Sequence, residues 1–169
     1  MSATPPTADR LAAELPGLAI VQRMLDGEVP GAPIAEALDY RLVEAALGVA
    51  SFEGQASARF LNPHGTVHGG WIATVLDSAL GCAVRTTLKP GHQYTTLDLK
   101  VSFLRALTPR TGPVRATGRV LHSGGRVASA EARLTGPDGS LYAHATATCL
   151  VLPASPPRSE PPPAPQGTP

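Results

Sequence analysis

Residues 62–80 read NPHGTVHGGWIATVLDSAL, a loop rich in glycine and histidine that leads into an apolar stretch. The apolar residues of this stretch recur at spacings of three and four, which is the period of a helix with one buried face. They are Ile72, Val75, Leu76, Ala79 and Leu80. The pattern predicts a helix from about His68 to Leu88, ended by the Lys-Pro-Gly at 89–91. We expect the rest of the chain to be organised around this helix.

Two features of the predicted helix suggest chemistry. Gly69 and Gly70 are poor helix formers, costing up to about 1 kcal/mol each relative to alanine, but they leave the N–H groups of the helix start open to a partly negative oxygen. Asp77 places a carboxylate among apolar neighbours, where an unpaired charge is expensive. Asp77 must therefore be partnered, reach solvent or belong to a site that uses it.

The spacing of these two features limits how they can act together. Gly69 and Asp77 are eight residues apart, which corresponds to roughly 12 Å along a helix. One chain is therefore not expected to bring Asp77 to a carbonyl group held by its own Gly69. If the two cooperate, Asp77 comes from a second, antiparallel copy, which gives two shared sites per dimer. The alternative is an ordinary internal helix whose Asp bonds to a neighbouring backbone group or hydroxyl.

Composition and charge narrow the class of protein. The chain has 169 residues, enough for one domain with a hydrophobic core. Its formal net charge is +1 and its basic residues are scattered, so we expect no nucleic-acid partner. Cys82 and Cys149 lack the spacing of a metal site and are interpreted as buried thiols in a reducing compartment. The sequence predicts no metal and no cofactor.

The first residues, MSATPPTADR, do not resemble a secretory signal, and no apolar run has transmembrane length. We therefore expect a cytoplasmic protein with no membrane partner. Residues 8–25 predict one or two amphipathic helices broken at Pro16-Gly17, and a short helix follows near 34–38. Residues 1–38 are thus predicted to cover the domain, whereas the proline-rich residues 153–169 are predicted to be disordered.

The remaining segments predict strands. A first pair surrounds Gly48, with Gly54 marking a bulge, and four more follow the helix at short spacing. The predicted strands are 40–47, 49–58, 94–105, 114–122, 127–134 and 141–152. Tight turns between them favour an antiparallel sheet curled around one long helix, which is an α+β fold over residues 39–152.

Three segments together resemble a known family. They are NPHGTVHGGWIATVLDSALGCAV at 62–84, TTLDLKVSFLRAL at 95–107 and HSGGRVASAEARLTGPDGSLYAHATATCLV at 122–151. They are similar to hotdog-fold acyl-CoA thioesterases of the phenylacetate-degradation (PaaI) type. The resemblance implies a hotdog fold, in which a sheet wraps around one long helix. It also implies a homodimer, usually paired into a homotetramer, that acts on acyl-CoA.

The resemblance implies roles for individual residues. The backbone N–H of Gly69 would polarise the thioester carbonyl, and Asp77 of the partner subunit would be the nucleophile or the base that activates water. Asn62 and His68 would orient substrate or water. Thr96 would hold the water, although Thr95 remains an alternative at that position.

For the CoA part of the substrate, the resemblance points to the end of one strand and to one turn. The residues are Phe103, Leu104 and Arg105, and Ser123, Gly124, Gly125, Arg126 and Val127. Backbone N–H groups of glycines and the charge of arginine can bind phosphate oxygens. The alternative is an ordinary hairpin turn with surface arginines.

The sequence therefore predicts an acyl-CoA thioesterase for an aryl or medium-chain acyl group. The first rival function is a non-catalytic hotdog sensor or carrier that binds acyl-CoA without cleaving it. The second is an enoyl-thioester hydratase on the same fold, although the His-Gly-Gly motif with Asp77 is the thioesterase pattern.

Overall fold

The structure, a computed structural model, describes residues 8–154. The helices of this part are α1 (Ala8–Leu11), α2 (Gly17–Leu25), α3 (Pro33–Ala37) and α4 (Gly69–Thr86). The strands are β1 (Tyr40–Ala46), β2 (Val49–Gln55), β3 (His92–Phe103), β4 (Pro113–Ser123), β5 (Val127–Thr135) and β6 (Leu141–Pro153). Single 3₁₀ turns lie at Ala58–Phe60 and Pro109–Thr111.

The six strands form one antiparallel sheet in the order β1-β2-β4-β5-β6-β3, and α4 packs against its inner face. Period-two alternation in β4, β5 and β6 buries every second side chain against the helix. Most of the buried side chains of β5 and β6 are alanines: Ala128, Ala130, Ala132, Ala143, Ala145 and Ala147. The predicted α+β class, with a sheet around one long helix, is confirmed.

Small side chains let the sheet approach α4 closely. Gly118 of β4 lies against the backbone of α4, and a Cβ atom built at Gly118 would stand 2.3 Å from the carbonyl oxygen of Ala79. Real Cβ atoms do not approach a carbonyl oxygen so closely, so only glycine allows this contact. The distance between sheet and helix is thus set by backbone contact at this point.

The bulge predicted at Gly54 is wrong. The irregular register between β1 and β2 lies between Leu42 and Glu44 instead. A Cβ atom at Gly54 would stand 2.9 Å from the indole ring of Trp71. Gly54 therefore makes room for an aromatic side chain of α4, a tertiary requirement that the strand pattern does not show.

The N-terminal helices pack on one side of the core. The break predicted at Pro16-Gly17 is found, because α2 starts at Gly17. The Gly17 N–H donates to the carbonyl oxygen of Leu88 (2.9 Å), and the Gly91 N–H donates to that of Ala12 (2.7 Å). Ile20 and Val21 of α2 are buried. These contacts fasten the segment to the C-terminal end of α4.

The division into a cover segment, a domain and a tail stays a prediction. Strand β6 includes Pro153, the first residue of the predicted tail, and the rest of that tail from residue 155 lies outside the described residues. Within the described part of the chain, no helix is long and apolar enough to cross a membrane.

We expect Gly118→Ala to lower the free energy of unfolding by about 3 kcal/mol, because the methyl group would push α4 away from the sheet. Chemical denaturation followed by circular dichroism measures this change. Gly31→Ala is the control, since nothing lies within 4 Å of a Cβ atom there. Equal stabilities for the two variants would contradict the close contact.

Candidate active site

The first turn of α4 presents one unpaired amide. His68 is the N-cap, and its Nδ1 atom accepts the N–H of Gly70 at 2.9 Å. The carbonyl oxygen of His68 accepts the N–H groups of Trp71 (3.0 Å) and Ile72 (3.4 Å). In the described part of the chain, no acceptor contacts the N–H of Gly69. This N–H is therefore the donor that the helix start offers to a ligand.

The capping bond also fixes the chemistry of the His68 ring. Because Nδ1 accepts a hydrogen bond, a neutral imidazole carries its proton on Nε2. The ring then offers an N–H donor on its other side. This geometry favours a role in capping the helix and orienting a substrate oxygen over a role as general base.

Asn62 organises the loop before α4. Its Oδ1 atom accepts the N–H groups of His64 (2.9 Å) and Thr66 (3.2 Å), and its Nδ2 atom donates to Thr66 Oγ1 (2.8 Å). One Nδ2 hydrogen is left for a ligand. Most of the amide is thus used within the loop, so the predicted contact of Asn62 with substrate or water depends on that single hydrogen.

Three further hydrogen bonds hold this loop and the helix start to the segments that follow β3, β2 and α3. They run from Val67 N–H to Leu107 O (2.8 Å), from His68 N–H to Phe60 O (2.7 Å) and from Trp71 Nε1–H to Leu38 O (2.8 Å). The indole ring of Trp71 also stacks on the ring of Phe60. The orientation of the first turn of α4 is therefore fixed from several sides.

A cleft of about 380 Å³ lies beside the open amide of Gly69. Its lining residues are Asn62, Thr66, Val67, Gly69, Ile72, Phe103, Leu104, Arg105, Ala106 and Leu107. The floor is apolar, because Val67, Ile72 and Leu107 are buried. A Cβ atom at Gly69 would stand 3.0 Å from the ring of Phe103. The absence of a side chain at Gly69 thus leaves its amide accessible to a ligand beside the ring of Phe103.

Asp77 lies on α4, two turns further along, and is half-buried. Its Oδ1 atom accepts a hydrogen bond of 3.3 Å from Thr96 Oγ1. Burial raises the pKa of the Asp77 carboxyl, and the bond from Thr96 partly offsets this effect. Thr96 faces the helix, whereas Thr95 is exposed on the other face of β3. Of the two threonines left open by the sequence, Thr96 is the one that contacts Asp77.

One chain does not bring Asp77 to the open amide. Asp77 is not among the residues that line the cleft at Gly69. Gly69 and Asp77 are eight positions apart on α4, which corresponds to about 12 Å. The Gly69 amide and the Asp77 carboxylate of one chain are therefore too far apart to contact the same atom, as the sequence spacing predicts.

The residues predicted to bind CoA fall into two separate places. Phe103, Leu104 and Arg105 line the cleft at Gly69, although β3 ends at Phe103, so the other two follow the strand instead of belonging to it. Ser123, Gly124 and Gly125 line a second cleft, of about 350 Å³, beyond the C-terminal end of α4. The helix length separates the two places by about 27 Å, so one chain does not join them.

The second cleft contains residues that the sequence did not single out. Besides the glycine turn it is lined by Thr87, Leu88, Lys89, His92 and Val151. Arg126 and Val127, also predicted to bind CoA, are exposed where β5 begins. The sequence indicates only a helix stop at the Lys-Pro-Gly of 89–91, because the position of this segment next to the turn at 123–125 depends on the folded sheet.

Cys82, Cys149 and Ser78 do not line either of these two clefts. Both cysteines are free, and burial raises the pKa of the Cys82 thiol to about 11, which leaves it protonated and unreactive at neutral pH. Across residues 8–154, no group of three or more His, Cys, Asp or Glu side chains could hold a metal ion. Ser78 Oγ is hydrogen-bonded to the hydroxyl of Tyr40 (2.9 Å).

Comparisons with known proteins identify relatives. Residues 64–143 match the family model described as "Thioesterase superfamily". A "putative esterase" of Halobacterium salinarum is 40% identical over 84 residues, which are 48% of this chain and 54% of the relative. A "putative esterase" of Saccharolobus solfataricus is 30% identical over 115 residues, which are 68% of this chain and 80% of the relative. The match thus spans about half the length of the first relative and four fifths of the second.

A solved structure is also similar to this chain. The crystal structure of a "putative thioesterase, phenylacetic acid degradation-related protein" from Ralstonia eutropha JMP134 is 35% identical, with a TM-score of 0.70. The similarity covers 76% of this chain and 97% of that one. The fold agreement therefore extends over nearly the whole of the Ralstonia protein.

We expect Asp77→Asn to raise the free energy of unfolding at pH 7 by up to about 1 kcal/mol, a modest gain because the side chain is half exposed. Because folding raises the pKa of Asp77 above its unfolded value, ionisation costs stability once the pH exceeds the unfolded pKa. The gain should shrink as the pH falls towards 4. Urea denaturation at both pH values measures it, with Asp26→Asn, an exposed carboxylate, as control. A less stable Asp77→Asn at pH 7 would contradict this reasoning.

Proposed function

The chain belongs to the thioesterase superfamily of hydrolases, and from this we propose that it cleaves the thioester bond of acyl-CoA to give a free acid and CoA. The resemblance to hotdog-fold thioesterases of the phenylacetate-degradation type is confirmed. The observation that carries the proposal is the open N–H of Gly69 at the start of α4 together with the half-buried carboxylate of Asp77.

The Gly69 amide suits the charge that develops during thioester cleavage. As the carbonyl carbon is attacked, its oxygen becomes negative, and a fixed N–H at a helix N-terminus stabilises that charge without reorganisation. In other enzymes, loss of one such donor costs on the order of 3 kcal/mol in the barrier. The Nε2–H of His68 and the remaining Nδ2–H of Asn62 are the next donors available to the substrate or to water.

Asp77 supplies the reacting oxygen or accepts a proton. As nucleophile, its carboxylate attacks the thioester carbon, the C–S bond breaks, CoA leaves as a thiolate that takes up a proton, and water cleaves the resulting anhydride. As general base, it takes a proton from the water that attacks directly. Both routes need an ionised Asp77, and the hydrogen bond from Thr96 favours that form.

The separation between the two groups supports a site shared by two chains. In the described sheet, β3 is an edge strand bonded only to β6, so its other side offers free backbone N–H and C=O groups. Leu97 at this edge is 59% exposed. Pairing of two β3 edges would place two α4 helices side by side and bring Asp77 of one chain near Gly69 of the other. We propose this homodimer, and a homotetramer built from two of them.

The apolar floor of the cleft at Gly69 suits an aryl or medium-chain acyl group. We place the CoA contacts at Phe103, Leu104 and Arg105 of one chain and at the turn of residues 123–127. The cytoplasmic location stays a prediction. The alternative function is an acyl-CoA sensor or carrier without turnover, since the apolar cleft at Gly69 offers room for an acyl group whether or not Asp77 reacts.

We expect wild-type protein to release thiol from phenylacetyl-, hydroxybenzoyl- or hexanoyl-CoA, and Asp77→Asn to lower kcat at least about 1000-fold, since an amide cannot attack or accept a proton. Thiol release followed with a chromogenic disulfide measures both. Asp26→Asn is the control and should behave as wild type. Tight acyl-CoA binding without turnover by the wild type would indicate the sensor or carrier function.

Two inactive chains should restore each other if the site is shared. Gly69→Pro removes the amide hydrogen at a position where proline is tolerated, because the preceding His68 is already extended (φ −61°, ψ 134°). When Gly69→Pro and Asp77→Ala chains are mixed and reassociated, we expect about one quarter of wild-type activity, since half of the dimers contain one working site. No recovery after exchange has been verified by mass spectrometry would rule out the shared site.

A further inference from the structure

The segment before β1 is bonded to the first turn of α4. Trp71 follows Gly69 by two residues and is buried. Its Nε1–H donates to the carbonyl oxygen of Leu38 (2.8 Å), the C-cap residue of α3. Because Trp71 and Leu38 are 33 positions apart in the sequence, this one bond ties the N-terminal segment to the turn that carries the open amide.

The indole ring of Trp71 is held in one orientation. It stacks on the ring of Phe60, with 5.8 Å between the ring centroids and 22° between the ring planes. A Cβ atom at Gly54 would stand 2.9 Å from the same indole, so β2 leaves room for the ring and little more. The ring cannot rotate without losing the stacking contact or the hydrogen bond of its N–H. A tilt of the first turn of α4 would therefore have to break these contacts.

Phe60 contacts the helix start on both sides of Gly69. Its ring meets Trp71, which follows the open amide, and its carbonyl oxygen accepts the N–H of His68 (2.7 Å), which precedes the amide. The turn that carries Phe60 has no capping bond from the side chain of Ser57, and the buried Oγ of Ser57 has no partner within the described part of the chain. Contacts from outside this turn must therefore fix the position of Phe60.

Arg59 supplies such contacts and connects the turn to the N-terminal segment. Its guanidinium lies over the ring of Phe60, 5.4 Å from the centroid, and donates to Asp39 Oδ2 (3.2 Å) and to the carbonyl oxygen of Ala37 (3.4 Å). Asp39 has a left-handed backbone conformation (φ 53°), which costs energy for a residue with a side chain. Such a residue persists where its surroundings hold it. Here its carboxylate meets Arg59, while the preceding residue, Leu38, accepts the indole N–H.

We propose that Trp71 is a positioning residue for the Gly69 amide, anchored by residues 37–39 and by the turn of Arg59 and Phe60. Trp71 does not line the cleft at Gly69, so it acts on the substrate only through the amide. The N-terminal segment then takes part in catalysis instead of only covering the domain. This inference rests on the proposed function and adds the residues that hold its oxyanion donor in place.

The kinetic effect expected from these contacts follows from the stage at which the amide acts. The Gly69 N–H meets the negative charge that develops on the carbonyl oxygen in the transition state. A misdirected amide therefore lowers kcat and kcat/KM together and leaves KM nearly unchanged. A variant that is only less stable, but still folded, keeps both constants.

Trp71→Phe removes the bond to Leu38 but keeps an aromatic ring on Phe60. We expect kcat for acyl-CoA cleavage to fall about tenfold, the effect of misplacing one oxyanion donor, with KM changed less than about twofold. Val84→Ala is the control, because it shortens a buried side chain at the other end of α4 and should leave both constants unchanged. An unchanged kcat in Trp71→Phe, or an equal loss in both variants, would overturn the proposal.

Arg59→Gln tests the same anchor without altering the core, because 67% of the Arg59 side chain is exposed. It removes the ion pair with Asp39 and the cationic contact with Phe60. We expect kcat to fall about threefold with KM unchanged, and Arg59→Lys to recover part of the loss because it keeps the charge. The matched control is Arg41→Gln, which breaks the exposed pair of Arg41 with Glu53 (3.8 Å) and should behave as wild type. Equal kcat values for Arg59→Gln and Arg41→Gln would count against the anchor.

Amide hydrogen exchange, followed by NMR, tests the anchor whether or not thioesters are cleaved. The N–H groups of Gly70 and Trp71 both donate to His68, so their exchange rates report on the geometry of the first turn. We expect Trp71→Phe to raise both rates about fivefold, the effect of losing one hydrogen bond, and to leave the rate of Val84 unchanged. Unchanged rates at Gly70 and Trp71 would overturn the inference even if the wild type is a thioesterase. If the wild type cleaves no thioester, the proposed function fails, and faster exchange at both amides still supports Trp71 as the residue that positions Gly69.

Discussion

The close contact between the sheet and α4 is the constraint on which the rest of the structure depends. Gly118 touches the helix backbone, and the alanines of β5 and β6 keep the whole inner face shallow. A helix held at this distance has one side facing the edge strand β3. Gly69, Asp77 and Gly81 lie on that side, where they meet Phe103, Thr96 and Tyr94 respectively. Packing therefore sets the line along which the chemistry is arranged.

The same contacts explain an opposition between stability and chemistry at Asp77. A carboxylate in mid-helix, half removed from water, raises the energy of the folded state when it is ionised. Its single described partner is the hydroxyl of Thr96 at 3.3 Å, which offsets burial only in part. The first turn of α4 shows a similar opposition, since two glycines weaken the helix but leave one amide without an acceptor. Both features lower stability where a hydrolase needs reactive groups.

Much of the fold could be predicted because it follows from patterns among residues that are close together in the sequence. The helical period of residues 72–80 predicted α4, and glycine and proline turn signals predicted six strands in an antiparallel sheet. The separation of Gly69 from Asp77 also followed from sequence spacing alone. The function of Gly54 and Gly118 could not be predicted, because each is explained by a neighbour far away in the chain. The same holds for Lys89 and His92, which meet the turn at 123–125 only when the sheet has formed.

The side-chain hydrogen bonds within the loop of residues 62–68 could not be predicted either, because the sequence shows donors and acceptors but not which of them pair. Asn62 and His68 carry groups suited to a substrate, yet each also holds part of the loop in place.

The distance between Gly69 and Asp77 has a genetic consequence if the active site is formed by two chains. A copy altered at both positions would disable both sites of every dimer it entered. One such allele would then act dominantly over a normal one.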